Sequence, residues 1–344
     1  MKAVVIHAAK DLRIEERDPG IPEAGQVDIA VEAGGICGSD LHYYNHGGFG
    51  TIRLREPMIL GHEIAGTIRA LGSGVSGLAV GDRVAVSPSR PCNHCDYCLQ
   101  GLQNHCLNMR FYGSAMPMPH IQGAFRQRLI AEAWQCHRVA DGVSINEAAF
   151  AEPFAVTLHA VKRAGSLLGK RVLITGCGPI GALTILAARA HGAREIVATD
   201  VMDAVLVKAR EIGADRTINV ADHPEQLAAY SANKGSFDVM FEASGNERAL
   251  RAGLDVLRPR GILMQLGLGG DIAIPQNLIV SKEIDLRGSF RFHEEFGLAV
   301  DLIGRKIVNV KPLLTGIFSL DEAVEAFETA GDRSRSMKVQ LAFA

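Results

Sequence analysis

Cys37, Ser39 and His42 fall within six residues, in the glycine-loosened stretch Gly34-Gly35-Ile36-Cys37-Gly38-Ser39-Asp40-Leu41-His42 that follows the apolar run 27–31. A thiolate is a soft metal ligand, and a short hydroxyl–imidazole chain can move a proton. The set therefore suits a metal-bound alcohol that must lose its proton. Taken alone, the stretch reads as well as a buried packing cysteine with a surface histidine nearby. Gly61-His62-Glu63 downstream, Glu152 further on and a glycine loop at Gly176 favour the chemical reading.

A second constellation is Cys92-x2-Cys95-x2-Cys98-x7-Cys106, four of the seven cysteines within fifteen residues. Four thiolates so spaced on a loop can close a tetrahedron around one zinc with no open position, which predicts a structural site. In a chain with no export signal, such clustering favours metal over disulfides. The lobe at 91–107 carries Pro91 and Asn93 but no strong helix or strand pattern, so its fold is expected to depend on the ion. Cys136 and Cys177 lie among apolar residues and read as packing positions.

The third constellation is Gly176-x-Gly178-x-x-Gly181, with Pro179 and Ile180 inside it. It follows the strand-like run 171–175 and opens the apolar helical run 180–190, and Asp200 closes the next strand-like run. That context converts a weak glycine triplet into a dinucleotide site, with a pyrophosphate at the helix N-terminus. Asp200 would accept hydrogen bonds from the adenosine ribose and repel a 2′-phosphate. Val201, Met202 and Asp203 offer no cation. NAD is therefore expected over NADP, which stays as the lesser option.

At 344 residues the chain exceeds one ordinary core, and two domains are expected. Up to residue 147, short apolar runs at 3–6, 27–31, 65–71, 83–86 and 125–130 are separated by Gly, Pro and Asp turns, which predicts a partly open β-barrel. A helical pattern follows at 149–164, with Glu152-Pro153 in its first turn. Six apolar runs then alternate with helix-like segments, at 172–175, 196–199, 217–220, 239–241, 262–266 and 284–287. The fold class predicted is α/β, with a doubly wound parallel sheet. After Gly288 the chain is expected to rejoin the first domain through helices at 298–304 and 320–330 and a strand at 338–343. The division is thus 1–147 with 289–344, and 148–288.

An apolar content of 47% with 22% charged residues is that of a soluble globular protein. A net charge of −2 gives no general attraction to nucleic acid or to a membrane surface. The N-terminus reads as a strand, no run is long enough to span a bilayer, and the cytoplasm is the expected location.

Gly61-His62-Glu63-x2-Gly66-x5-Gly72, the four-cysteine lobe and the glycine loop together resemble the zinc-containing medium-chain alcohol and polyol dehydrogenases. Ala151-Glu152-Pro153 sets a glutamate where the alcohol dehydrogenases carry a second cysteine ligand, which resembles the polyol branch. Residues 34–44, Met109-Arg110-Phe111-Tyr112-Gly113-Ser114-Ala115-Met116 and Gly288-Ser289-Phe290-Arg291-Phe292 are similar to its L-idonate-oxidising members. The resemblance implies a GroES-like catalytic barrel beside a Rossmann domain, one catalytic and one structural zinc, and reversible NAD-dependent oxidation of L-idonate at C5 to 5-keto-D-gluconate. A neutral polyol such as sorbitol or xylitol is the alternative substrate, and a non-catalytic member the third reading. Cys37 and His62 would hold the catalytic zinc, with Glu63 or Glu152 as third ligand. Ser39 would take the proton and His42 pass it to solvent. Tyr43, Arg110 and Arg291 would face the substrate, the arginines gripping its carboxylate. A homodimer or homotetramer is expected, joined through strand-like 270–274 and the edge at 284–287.

Overall fold

The computed structural model describes residues 1–343. Its N-terminal part is built on the strand Gln26–Gly35, in which Val27, Ile29, Val31 and Ala33 are fully or almost fully buried at every second position. That alternation is the period of a strand with one face on a core. The strand is central to a mixed sheet of seven, ordered Cys136–Arg138, Arg83–Val86, Glu63–Leu71, Gln26–Gly35, Lys338–Ala342, Leu314–Ser319, with Arg128–Glu132 also paired to Gln26–Gly35. Gly35 lies opposite Glu63 on one side and Gln340 on the other. Three segments remote in sequence thereby end at one place.

The second sheet has six strands, all parallel, ordered Arg216–Asn219, Glu195–Asp200, Arg171–Thr175, Phe237–Glu242, Leu257–Gln265, Asp285–Gly288. The order reverses between Arg171–Thr175 and Phe237–Glu242, and a crevice opens at such a switch point. Its central strands are buried on both faces, as Leu173, Ile174, Val197, Met240 and Phe241 are fully buried, so they read as apolar runs and not as alternations. The helix Pro179–Ala190 starts from Gly178, with proline in its first turn where no amide is needed. Helices Ala151–Ala164 and Glu295–Gly304 pack on each other through buried Phe154, Leu158 and Phe296.

Several elements differ from the sequence reading. The run at 125–130 forms its strand later, at Arg128–Glu132, because Ala124 and Phe125 are bound to the backbone of Gly61 and Leu60. The helical pattern at 149–164 is the single helix Ala151–Ala164, and a separate short helix, Ile145–Ala148 capped by Ser144, precedes it. Leu314–Ser319 was not foreseen: its half-exposed pattern carries little apolar signal, and it exists through its parallel pairing with Lys338–Ala342. The cysteine lobe does hold a short helix, Asp96–Leu99. The stretch at 270–274 is not a strand; within the chain it has no backbone partner row. Among the described residues, no helix is long and apolar enough to cross a membrane.

Candidate metal and dinucleotide site

Asp40 assembles the first cluster. Fully buried in the first turn of the helix Gly38–His46, it accepts the Cys37 N–H at 3.0 Å and, with its other oxygen, the Gly61 N–H at 3.1 Å. The start of that helix is thus tied to the entrance of Glu63–Leu71. Donor atoms of Cys37, His62 and Glu63 lie within 4.8 Å of one another. The Glu63 carboxylate fits only because residue 35 is glycine: a Cβ there would stand 2.1 Å from Glu63 Oε2. Lys338 donates to Glu63 Oε1 at 2.7 Å and to the Ile36 carbonyl at 2.9 Å.

The charges are crowded. Burial, then the neighbouring Glu63, pushes the Cys37 thiol up to about 11. Burial also raises Glu63, against the pull of Lys338 and His62. Glu152 rises to about 8, first through burial and then through Glu63 and Cys37, with His62 opposing. Three acidic groups around a single ammonium call for further positive charge, and a divalent cation would return them to their ionised forms. The donor set of sulfur, imidazole nitrogen and carboxylate oxygen is one that zinc takes. Buried His62 Nδ1 stands 3.9 Å from Asp40 Oδ1 and has no hydrogen-bond partner, an orphaned polar atom at the donor cluster. The residues present therefore fit a zinc ion.

Of the two glutamates, Glu63 belongs to the three-donor group and Glu152 stands beside it. Ser39 lies two residues after Cys37 and weakly opposes the rise of its thiol, and His42 follows three residues later at the exposed face of the same helix, its ring beside His46 and Phe49. Partial burial and His46 lower the His42 pKa. Buried Tyr43 accepts the Ala115 N–H at 3.0 Å and anchors the loop after Phe111. Arg291, in the left-handed region at φ 54°, lies over the Phe111 ring at 4.3 Å, and that ring is 5.4 Å from His62. Burial lowers its pKa, while Glu152 and Tyr43 raise it. Arg110 does not join them. It precedes Phe111 on a two-residue strand, so its side chain takes the opposite face and is exposed.

The four lobe cysteines also bring their sulfurs within 4.8 Å. The Cys92 N–H points at Cys106 Sγ at 3.1 Å, and the His94 N–H pulls the Cys92 thiol down to about 5. Asn104 donates to the Phe290 carbonyl at 2.9 Å, so the lobe braces the segment that carries Arg291. Cys177 is buried and Cys136 half-buried, each against apolar neighbours, as expected of packing residues.

Asp200 ends its strand beside the glycine loop, where a Cβ on Gly181 would stand 1.8 Å from the Gly176 carbonyl oxygen. Asp200 Oδ2 accepts the Cys177 N–H at 2.7 Å, and Oδ1 accepts those of Val201 at 2.8 Å and Met202 at 3.2 Å. The residues following Asp200 carry no cation, but one arrives from elsewhere: Arg333 bonds to Oδ2 at 2.9 Å. Sequence reasoning also missed Asp40, Lys338 and Glu242, a buried carboxylate that holds the Ser244-Gly245 turn against the crevice. Glu242 at the end of the apolar run 239–241 and Lys338 at the start of the last strand-like run offered only an isolated polar residue as a signal, and Asp40 offered none beyond its place in the turn after Cys37.

The fold and the two clusters are those of a metal- and dinucleotide-dependent alcohol dehydrogenase. The alcohol dehydrogenase GroES-like domain matches residues 23–141 and the zinc-binding dehydrogenase domain residues 179–305, and the chain belongs to this medium-chain family. It is 43% identical over 316 residues to L-idonate 5-dehydrogenase (NAD(P)(+)) of Escherichia coli (strain K12), covering 92% of this chain and 91% of that protein. The crystal structure of L-idonate 5-dehydrogenase from Escherichia coli str. K-12 substr. MG1655 superposes with a TM-score of 0.94 at 41% identity, covering 99% of this chain and 97% of that one. Sorbitol dehydrogenase of Gallus gallus is 36% identical over 343 residues, covering 98% of this chain and 95% of that protein. The chain is a zinc-dependent dehydrogenase of the polyol and sugar-acid group.

Proposed function

We propose that this chain oxidises L-idonate at C5 to 5-keto-D-gluconate, reversibly, with NAD or NADP taking the hydride. The observation that carries the acid substrate is Arg291, which makes no ion pair among the described residues and stacks on the ring that also touches His62. A planar guanidinium grips a carboxylate in a fork, and a neutral polyol has no carboxylate to offer. The identity with L-idonate 5-dehydrogenase (NAD(P)(+)) supports the same substrate and cofactors.

In this reading Cys37, His62 and Glu63 hold the catalytic zinc and leave one position open, Glu152 stands next to it, and Cys92, Cys95, Cys98 and Cys106 hold the structural zinc. When bound, the metal supplies the Lewis acidity that acidifies a hydroxyl, and the dinucleotide accepts the hydride. Ser39 receives the hydroxyl proton, and His42, at the exposed end of the relay, releases it to solvent. Tyr43 and Arg291 orient the sugar acid. Gly176, Gly178 and Gly181, with Pro179 and Ile180, open the helix N-terminus to a pyrophosphate, and Asp200 meets the adenosine ribose. The catalytic domain comprises 1–147 and 289–344, the cofactor domain 148–288. Copies associate as dimers or tetramers, with the edge strand Asp285–Gly288 and its exposed Leu286 as one contact.

A second reading, oxidation of neutral sorbitol or xylitol, is supported by the sorbitol dehydrogenase likeness. Cofactor absorbance with L-idonate, sorbitol and xylitol decides between them. L-idonate is expected to give the highest kcat/KM, and Arg291→Met to raise its KM about tenfold relative to that for sorbitol, the loss of one charge-assisted contact. Preference for sorbitol, or equal effects of the substitution on both substrates, would remove the acid assignment.

A further inference from the structure

The adenosine end of the crevice lies in a cavity of about 1120 Å³ whose lining includes Gly176, Asp200, Lys234, Arg248 and Arg333. Arg333 comes from the turn after the helix Ala323–Gly331, 133 positions from Asp200, and reaches across from the barrel side. That turn is fixed: Asp332 accepts the Ser334 N–H at 3.0 Å and its hydroxyl at 2.6 Å. The guanidinium stands 2.9 Å from Asp200 Oδ2, and its Nη2 would be 3.9 Å from a Cβ on Gly178, the residue that starts the helix Pro179–Ala190. Lys234 and Arg248 are exposed residues of the same cavity, and neither pairs with Asp200.

The pair is asymmetric. The Asp200 side chain is 3% exposed and that of Arg333 50%. The carboxylate is already satisfied by three backbone amides, whereas Arg333 makes no other hydrogen bond among the described residues. An incoming ribose therefore meets the guanidinium first. A bare carboxylate would repel a 2′-phosphate, but one covered by a guanidinium with free N–H groups offers that phosphate a charge-assisted fork. A ribose 2′-hydroxyl gains less from the cation, because it must share the Asp200 oxygen with it.

We propose that Arg333 is the specificity-determining residue that admits NADP to this site, by neutralising Asp200 and holding the 2′-phosphate. The proposal rests on the reading of the crevice as a dinucleotide site. Its test is direct binding, without turnover: fluorescence titration of NADH and NADPH into the full zinc-loaded protein. In Arg333→Met, the ratio of the NADPH Kd to the NADH Kd is expected to rise about tenfold or more, as for one lost hydrogen bond to a charged group. Arg333→Lys, which keeps the charge but loses the fork, is expected to raise that ratio by less than Arg333→Met does. A ratio that does not move in Arg333→Met, whether both affinities fall together or neither changes, overturns the proposal, as does an unsubstituted chain that binds NADH and not NADPH. Binding of neither cofactor would overturn the dinucleotide reading itself.

Discussion

At the residue scale, the cluster at Cys37 shows how a single side chain changes meaning with its neighbours. Glu63 was one of two candidates for the third ligand. It lies within the three-donor group because Gly35 leaves room for its carboxylate, and Lys338 holds it there. Glu152 approaches from the helix Ala151–Ala164 and feels the same charges from one step further out. Metal analysis after dialysis separates the two. Glu63→Gln is expected to lose the catalytic zinc and keep the structural one, since loss of a direct ligand costs more than loss of a supporting group, which weakens binding about 10–100-fold. Glu152→Gln should keep both ions. The reverse pattern would make Glu152 the ligand. The residue types here were legible in the sequence, but the choice between two glutamates is a matter of ångströms that spacing does not carry.

At the scale of elements, the cysteine lobe has a second consequence besides its own fold. Asn104 is buried on the short turn Gln103–His105 and donates to the Phe290 carbonyl, one residue before Arg291. The His105 and Phe290 rings lie 5.9 Å apart, and Arg291 stacks on Phe290 as well as on Phe111. The lobe thus helps to place the guanidinium proposed to meet the substrate. Asn104→Ala should raise KM for the acid substrate several-fold while kcat changes little, because a misplaced carboxylate grip weakens binding before it weakens chemistry. A matching fall in kcat with KM unchanged would place Asn104 elsewhere in the mechanism. The four-cysteine spacing announced the lobe; its contact with residues nearly two hundred positions later was not legible, since Asn104 carries no periodic or motif signal.

For the whole molecule, the two halves meet through Glu295, at the start of the helix Glu295–Gly304, and His159 on the helix Ala151–Ala164, 3.1 Å apart. Burial alone would raise Glu295, but the bonds from His159 and the His293 N–H outweigh it and bring the carboxyl down to about 2. A carboxyl lowered on folding stabilises the folded chain above its ordinary pKa of 4.5, and that contribution is lost as pH falls from there toward 2. At roughly 1.4 kcal/mol per pKa unit, the contribution at neutral pH is at most about 3 kcal/mol. Glu295→Gln should therefore lower stability at pH 7 by about 1–3 kcal/mol and flatten the acid side of the stability profile, as read by denaturant unfolding at several pH values. An unchanged acid limb would show that the pair does not hold the halves together. By itself the sequence determined the class of fold, the four-sulfur lobe, the glycine loop and the ligand types, because each of these is written in local spacing, turn chemistry or the period of apolar residues. Only the tertiary structure decided that Lys338 shares a site with Glu63, that Arg333 covers Asp200 and that Arg110 faces away, because these depend on strand register and on returns of the chain across more than a hundred residues, to which a local pattern is blind.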